Sequence, residues 1–518
     1  MSRTEALFLR VAVFCGGAVV LILEILGSRL LAPFFGSTIY VWSALIFVTL
    51  LALAVGYRLG GSLADRTEPM PAVFRALVAA GWLVLAVTLL RRVVLPLTAP
   101  LGLKAGSLLA AFLLLAPPLV ILGCLAPLAA KAAVGGLETL GLKVGGLYAL
   151  STVGSLVGAL LTGFVLIPSL GVVKILALSS LVLFLPAGAW WILSPPGRGR
   201  RLWRGMAVVG ILAAAARLAM PSRYPVTREA GGWTVLNRAD GTYSEVKVAQ
   251  LGATNRVLLL DSALQSSLET RSGLSLFVYT AVMKSLILAA NPRPGRVLLI
   301  GLGGGTLAGD LSAAGALVDA VEVDPVVADS AKRFFMGGRE TSVFIEDGRT
   351  FLARCPPATY DVLVMDAYAG EAPPPHLFTT EAWELARRAM KPGAVGVANL
   401  IGFGTGPHSW PTRYVGRTIG TAFPWVTAYS CDEGGGPTNV IFMFGDRPRR
   451  IRSLPSIPMI REVASQREGV LKREIDLGPR EGPVLTDDYN PIESMNLKAR
   501  EYMRAQLRML FPAWVLLE

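Results

Sequence analysis

Residues 296–324, RVLLIGLGGGTLAGDLSAAGALVDAVEVD, restrict the fold more than any other stretch. Val297 to Ile300 is a short apolar run, the length of one buried parallel strand. Gly301, Gly303, Gly304 and Gly305 follow at once. Glycines there permit a tight turn and let a ligand approach the backbone closely. Thr306 to Ala314 then predicts a helix whose N-terminus faces whatever lies over the glycines. A second strand, Val318 to Val323, carries Glu322 near its end, with Asp324 next. An acid at that strand tip is placed to take both hydroxyls of a ribose. A glycine turn in an unrelated α/β domain would need none of this order, so the stretch predicts a nucleoside-binding fold.

The rest of the chain divides by apolarity. Of 518 residues, 53% are hydrophobic and only 16% charged, with a mean hydropathy of +0.54. Residues 1–221 hold the long uncharged runs, and spans of about 20 apolar residues are expected there. Seven are predicted, at roughly 8–33, 38–60, 72–90, 106–130, 143–168, 172–194 and 204–221. The first is too long, and followed by too many others, to be a cleavable signal. Glu24 and Arg29 lie in or near it, where ionisable groups are costly and often functional; helix pairing for Glu24 and snorkelling for Arg29 are the structural alternative. Gly154 and Gly158 form a small-xxx-small pattern for close helix packing.

The net charge is +13. Lys and Arg concentrate on one side of the predicted spans, which puts the N-terminus in the cytoplasm. Seven spans then put the C-terminal half outside. Segment 204–221 lying at the interface instead would return it to the cytoplasm. No basic stripe is interleaved with aromatics, so nucleic acid is not an expected partner. Cys15, Cys124, Cys355 and Cys431 lack CxxC spacing, and His376 and His408 are the only histidines. Neither a disulfide frame nor a metal site is expected.

Four segments are predicted: a transmembrane domain at 1–221, a small β-region and connecting helix at 222–290, a nucleoside-binding α/β domain at 291–450, and an extension at 451–518. In the third, strands at 297–300, 318–323, 342–345, 361–365 and 394–399 alternate with helices. That alternation predicts a doubly wound parallel sheet with its ligand crevice at the strands' carboxyl ends. Glu322, Asp347 and Asp366 all end strands and are expected to converge on one pocket. Glu371 lies in the loop AGEAPPP, suited to a lid.

Between about 230 and 445 the motifs GTYSEVKV, LDSALQSS, IGLGGGT, VEVDP, EDGR and YDVLVMDAYAGEAPPPHLFT resemble the spermidine synthase (polyamine aminopropyltransferase) family. The apolar half, with EILGSRLLAPFFGS and GYRLGGSLADR, and the tail LTDDYNPIE are similar to a membrane-fused branch of that family. The resemblance implies a Rossmann-like, methyltransferase-like domain and a transferase of polyamine biosynthesis. Its co-substrate would be decarboxylated S-adenosylmethionine or S-adenosylmethionine, with no permanently bound cofactor. The implied partners are a small amine, the lipid bilayer and a second copy of the chain, and the implied place is the inner membrane, multi-pass, with the soluble domain in the cytoplasm. By resemblance, Glu322 holds the ribose, Asp347 with Gly348 the adenine edge, and Pro373 the lid over them. Ser244, Gly301, Gly303 and Gly305 also fall to the nucleoside. Asp366 is the general base, and Tyr243, Gln265, Tyr279 and Glu371 fall to the amine.

The chain departs from the family at its amine positions. The family's Tyr-Gln pair reads Tyr243-Ser244, and its Tyr-His-Glu reads Tyr279-Thr280-Ala281. The acid of the glycine loop is Gly303 or Gly304, and the second Asp of its D-x-x-D is Ala369. Three readings stay open: aminopropyl transfer to a different acceptor, methyl transfer from intact S-adenosylmethionine, or a transporter or sensor that binds without turnover.

Overall fold

The computed structural model describes the chain except residues 1, 37, 135–139, 194–199, 221–225, 228–230, 242, 339–340, 369 and 518. It divides into two compact units, residues 1–223 and 224–516.

Among the described residues of the first unit, six stretches are long and apolar enough to cross a membrane. One of them, Pro69–Ala133, has 65 residues; as a straight helix it would reach about 98 Å, some three times a bilayer's apolar core. It is instead broken at Ala99–Leu101, where Gly102 turns at φ +80°. The two arms, Pro69–Thr98 and Gly102–Ala133, pack against each other. The other helices are Arg3–Phe35, Ile39–Arg66, Leu140–Leu161, Val172–Leu193 and Arg200–Ala219. Gly154 and Gly158 do bring two helices together. A Cβ on either would lie 2.2 Å from the Phe14 carbonyl or 2.4 Å from that of Ala18. Large apolar side chains face outward, among them Leu50, Leu89, Leu97 and Phe164.

The described residues of the second unit form two sheets. The smaller is antiparallel and sequential: β1 (Val226–Thr227), β2 (Trp233–Asp240), β3 (Glu245–Leu251), β4 (Asn255–Leu260) and β5 (Ala263–Glu269). The helix Val278–Ala290 leads to the larger sheet. Its strands are β6 (Arg296–Ile300), β7 (Leu317–Glu322), β8 (Ser342–Ile345), β9 (Tyr360–Met365), β10 (Met390–Phe403), β11 (Trp425–Ser430) and β12 (Pro437–Gly445). Their order is β11-β12-β10-β9-β6-β7-β8.

The expectation of a parallel sheet is corrected here. The pairs among β6 to β10 are parallel, but β12 runs antiparallel to both β10 and β11. Only residues 431–436 join β11 to β12, too few for the crossover of a dozen or more that a parallel pair needs. The result is a Rossmann-like, methyltransferase-type sheet with an antiparallel strand inserted near one edge.

After the exposed Arg296, strand β6 is apolar because both faces are covered. Leu298 and Ile300 pack with Phe351, Trp383 and Phe444 on one face. Val297 and Leu299 pack with Val282, Leu286 and Leu307 on the other. Buried on both sides, the strands hold their carboxyl ends rigidly in one row.

Candidate active site

The glycine turn is shaped by what presses on it. Gly301 sits at φ +92°, and a Cβ there would lie 2.3 Å from the Asp366 carbonyl oxygen. No other residue fits between the ends of β6 and β9. The Gly304 amide donates to Ser266 Oγ at 2.8 Å, tying the turn to β5 of the small sheet. Across the turn, Glu322 ends β7. Its Oε2 accepts from the Leu302 amide and its Oε1 from the Asp324 amide, both at 3.1 Å. Burial pushes this carboxyl up from its ordinary range, and the backbone donors oppose that shift. The two oxygens offer four lone pairs between them, so the carboxylate still has room for a ligand hydroxyl. Asp324 is occupied otherwise: it caps the helix Pro325–Phe334 through Val326 N at 2.9 Å.

Asp366 follows β9. Its amide donates to the Ile300 carbonyl at 2.9 Å, which pins it beside the turn. Its Oδ1 accepts from Asn399 Nδ2 at 2.8 Å, and the Tyr279 hydroxyl donates to the carboxylate as well. Burial pushes the carboxyl up to about 7, against the pull of those two donors. Asn399 lies on β10 and is 2% exposed. Its Oδ1 accepts from Asn439 Nδ2 of β12 at 3.0 Å, so its amide can only turn its NH₂ towards Asp366. Tyr368 is fixed by accepting from the Ile401 amide at 2.7 Å.

Two cavities meet at this point. One, of about 50 Å³, lies over the glycine turn and is lined by Gly301, Gly303, Ser266, Thr306, Glu322 and Asp366. The other, of about 260 Å³, lies towards the helix Leu497–Leu510. Gln265, Tyr279 and Tyr368 line both. The arrangement is a carboxylate able to accept a proton near neutrality, between a small polar slot and a larger apolar one.

A family model described as "Spermine/spermidine synthase domain" matches residues 276–400. The C-terminal part of this chain carries a spermidine synthase domain. "Spermidine synthase 2" of Datura stramonium is 31% identical over 169 residues, covering 31% of this chain and 52% of that protein. "Polyamine aminopropyltransferase" of Vibrio vulnificus is 36% identical over 117 residues, 21% of this chain and 39% of that one. Among solved structures, a probable spermidine synthase from Corynebacterium glutamicum aligns at 18% identity with a TM-score of 0.38, covering 51% of this chain and 93% of that chain. The chain spans about half the length, or less, of these two curated relatives.

Within the synthase domain the predicted residues separate into groups. Glu322 and Asp366 share the glycine-turn cavity, whereas Asp347 does not line it. Asp347 follows the edge strand β8 and is taken up locally. Its Oδ1 accepts from the amides of Arg349 and Thr350 at 3.0 Å, and its Oδ2 lies 2.8 Å from His376 Nε2. Burial works against the charge, yet the bonds from Thr350 and His376 hold this carboxyl below its ordinary value. Gly305 and Gly348 serve close packing: a Cβ would lie 2.9 Å from Met336 Cγ and 2.5 Å from Ile300 Cγ2 respectively. Ser244 is buried, Tyr243 exposed, and Pro373 buried in the loop; none of them lines either cavity. Gln265 donates through Nε2 to the Gly370 carbonyl at 2.6 Å. Glu371 lines the larger cavity and accepts from Arg504 Nε at 2.6 Å. Ala369 lies outside the described residues.

Ser266, Tyr368, Asn399, Asn439, Arg500 and Arg504 were not foreseen. Asn399 and Asn439 did leave a trace: each is a lone amide inside an apolar strand, in GVANLIG and TNVIFMF. Such a side chain must find partners within the core. Arg504 left none, because its partner is more than a hundred residues away.

Proposed function

We propose that this protein is a membrane-embedded transferase whose synthase domain moves an aminopropyl group from decarboxylated S-adenosylmethionine to an amine. The observation that carries the reading is Asp366, raised to about 7 and set where two cavities meet. Glu322 and the glycine turn would hold the adenosyl part in the smaller cavity, while the acceptor occupies the larger. The acceptor nitrogen attacks the propyl carbon bonded to the sulfonium. An N–C bond forms as the C–S bond breaks, and the bond's electron pair returns to sulfur, leaving methylthioadenosine. The proton released by nitrogen passes to Asp366, whose affinity for it suits a general base at neutral pH.

The outward-facing apolar side chains of the first unit support residence in the bilayer. Arg200–Ala219 is the least apolar of the candidate segments. Laid along the interface, with the N-terminus in the cytoplasm, it leaves the synthase domain in the cytoplasm too.

Radiolabelled decarboxylated and intact S-adenosylmethionine, offered separately with a panel of amines, test the reading. Label on the amine from the decarboxylated donor is expected. Transfer of methyl from the intact donor alone would replace this reading by a methyltransferase. That rival draws support from the larger cavity, where Glu371 is the only carboxylate among the described lining residues.

A further inference from the structure

We propose that the acceptor is a primary monoamine on a compact, largely apolar body, with a neutral hydroxyl at its far end, rather than a diamine; this rests on the transferase reading above. The larger cavity holds about 260 Å³. A cavity of about 150 Å³ takes benzene, so this one takes a six-membered ring with a short arm. Its lining suits such a body: Phe277, Tyr279 and Tyr368, together with Met503, Leu507 and Leu510 of the helix Leu497–Leu510.

Charge decides against a diamine. With the reacting nitrogen at Asp366, a second ammonium would have to face Glu371. That side chain is 7% exposed and already paired with Arg504, itself 10% exposed. Arg500 also lines the cavity and is 5% exposed. Glu371, the one carboxylate among the described lining residues, is thus already met by a guanidinium, and this wall has no unpaired acid to hold a second cation. Yet Glu371 still asks for something. Its Oε1 is buried and has no hydrogen-bond partner among the described residues. A neutral hydroxyl satisfies that oxygen without adding charge, whereas a purely hydrocarbon end leaves it bare.

The test uses the full-length protein in detergent, with tyramine and putrescine as probes and radiolabelled decarboxylated S-adenosylmethionine as donor. The expected kcat/KM for tyramine exceeds that for putrescine by at least about tenfold. Arg504→Gln removes one buried cation and should narrow that ratio several-fold. Leu507→Phe narrows the cavity and should weaken tyramine while leaving methylthioadenosine affinity unchanged. Putrescine used as well as tyramine, or better, overturns the inference. Calorimetry separates the two levels of failure. If methylthioadenosine binds but tyramine does not bind in its presence, the acceptor class is wrong and the donor site stands. If methylthioadenosine itself fails to bind, the transferase reading fails and this inference falls with it.

Discussion

The two cavities beside Asp366 are built in opposite ways. The smaller takes Gly301, Leu302, Gly303, Thr306, Leu307 and Glu322 from one strand–turn–helix–strand unit. Its chemistry comes largely from backbone: amides at the turn, and a glutamate positioned by two of them. The larger draws on side chains from Ala263 to Leu510, from two sheets, a connecting helix and the C-terminal helix. Backbone chemistry survives only if the local pattern of glycines is kept. A wall of side chains on separate elements can exchange an acid for an arginine with the fold untouched. The difference teaches why the glycine-turn residues in this chain resemble the family's motifs while residues expected at the amine depart from them.

Asp366 lines the smaller cavity and is bonded to Tyr279 and Asn399, which line the larger, so its loss should have the largest effect. Asp366→Asn keeps the shape and removes the base, so turnover should fall by about 10²–10⁴-fold, with methylthioadenosine affinity nearly intact by calorimetry. Full turnover in the variant would remove Asp366 from the chemistry. In the wild type the carboxylate must be ionised to accept a proton, and burial raises it to about 7. The pH profile of kcat/KM should therefore rise through about 7 and level off above it; a profile flat from pH 5.5 to 8.5 would contradict this.

Glu322→Ala tests the donor side alone. Loss of a charged hydrogen-bonding partner costs about 1.5–3 kcal/mol, or roughly ten- to a hundredfold in methylthioadenosine affinity. Tyramine affinity should not follow. If both ligands weaken equally, the two cavities are not separate in energy.

Asn399→Ala sharpens the acceptor side. Its amide stabilises the ionised Asp366, so removing it should shift the pH profile upward by about one pH unit and slow the reaction at pH 7 roughly fivefold. A slower enzyme with an unmoved profile would mean that Asn399 only supports packing. The smallest change is expected on removing the first unit. A chain beginning at Tyr224 should keep its methylthioadenosine affinity within about threefold, less than 1 kcal/mol. If that chain folds yet does not bind, the donor cavity is not self-contained.

Much of this was legible in the amino-acid order. The strand β6, the glycine turn, the helix Thr306–Ala313 and β7 follow one another within a single stretch. Each leaves its own local mark: an apolar run, positive φ met by glycine, a helical run, an acid at a strand tip. The apolar helices were legible for the same reason, since length and composition speak for themselves within one segment. The break at Gly102 was anticipated by the gap between the spans 72–90 and 106–130. The antiparallel placement of β12 was not, because the elements at 410–422, 425–430 and 437–445 lie beyond the alternating strand–helix pattern of residues 297–399.

Local chemistry in the chain itself settled that this protein has an apolar helical half and a glycine-turn α/β half, with Glu322 and Asp366 at strand ends. Tertiary structure alone decided that Asp347 meets His376 and lies outside the glycine-turn cavity, that Asn439 orients Asn399 against Asp366, and that Arg504 reaches back to Glu371. The physical reason is distance along the chain. A turn or cap is an interaction among near neighbours and is written in consecutive residues. A buried polar contact between remote elements depends on how those elements pack, and no short stretch of sequence contains it.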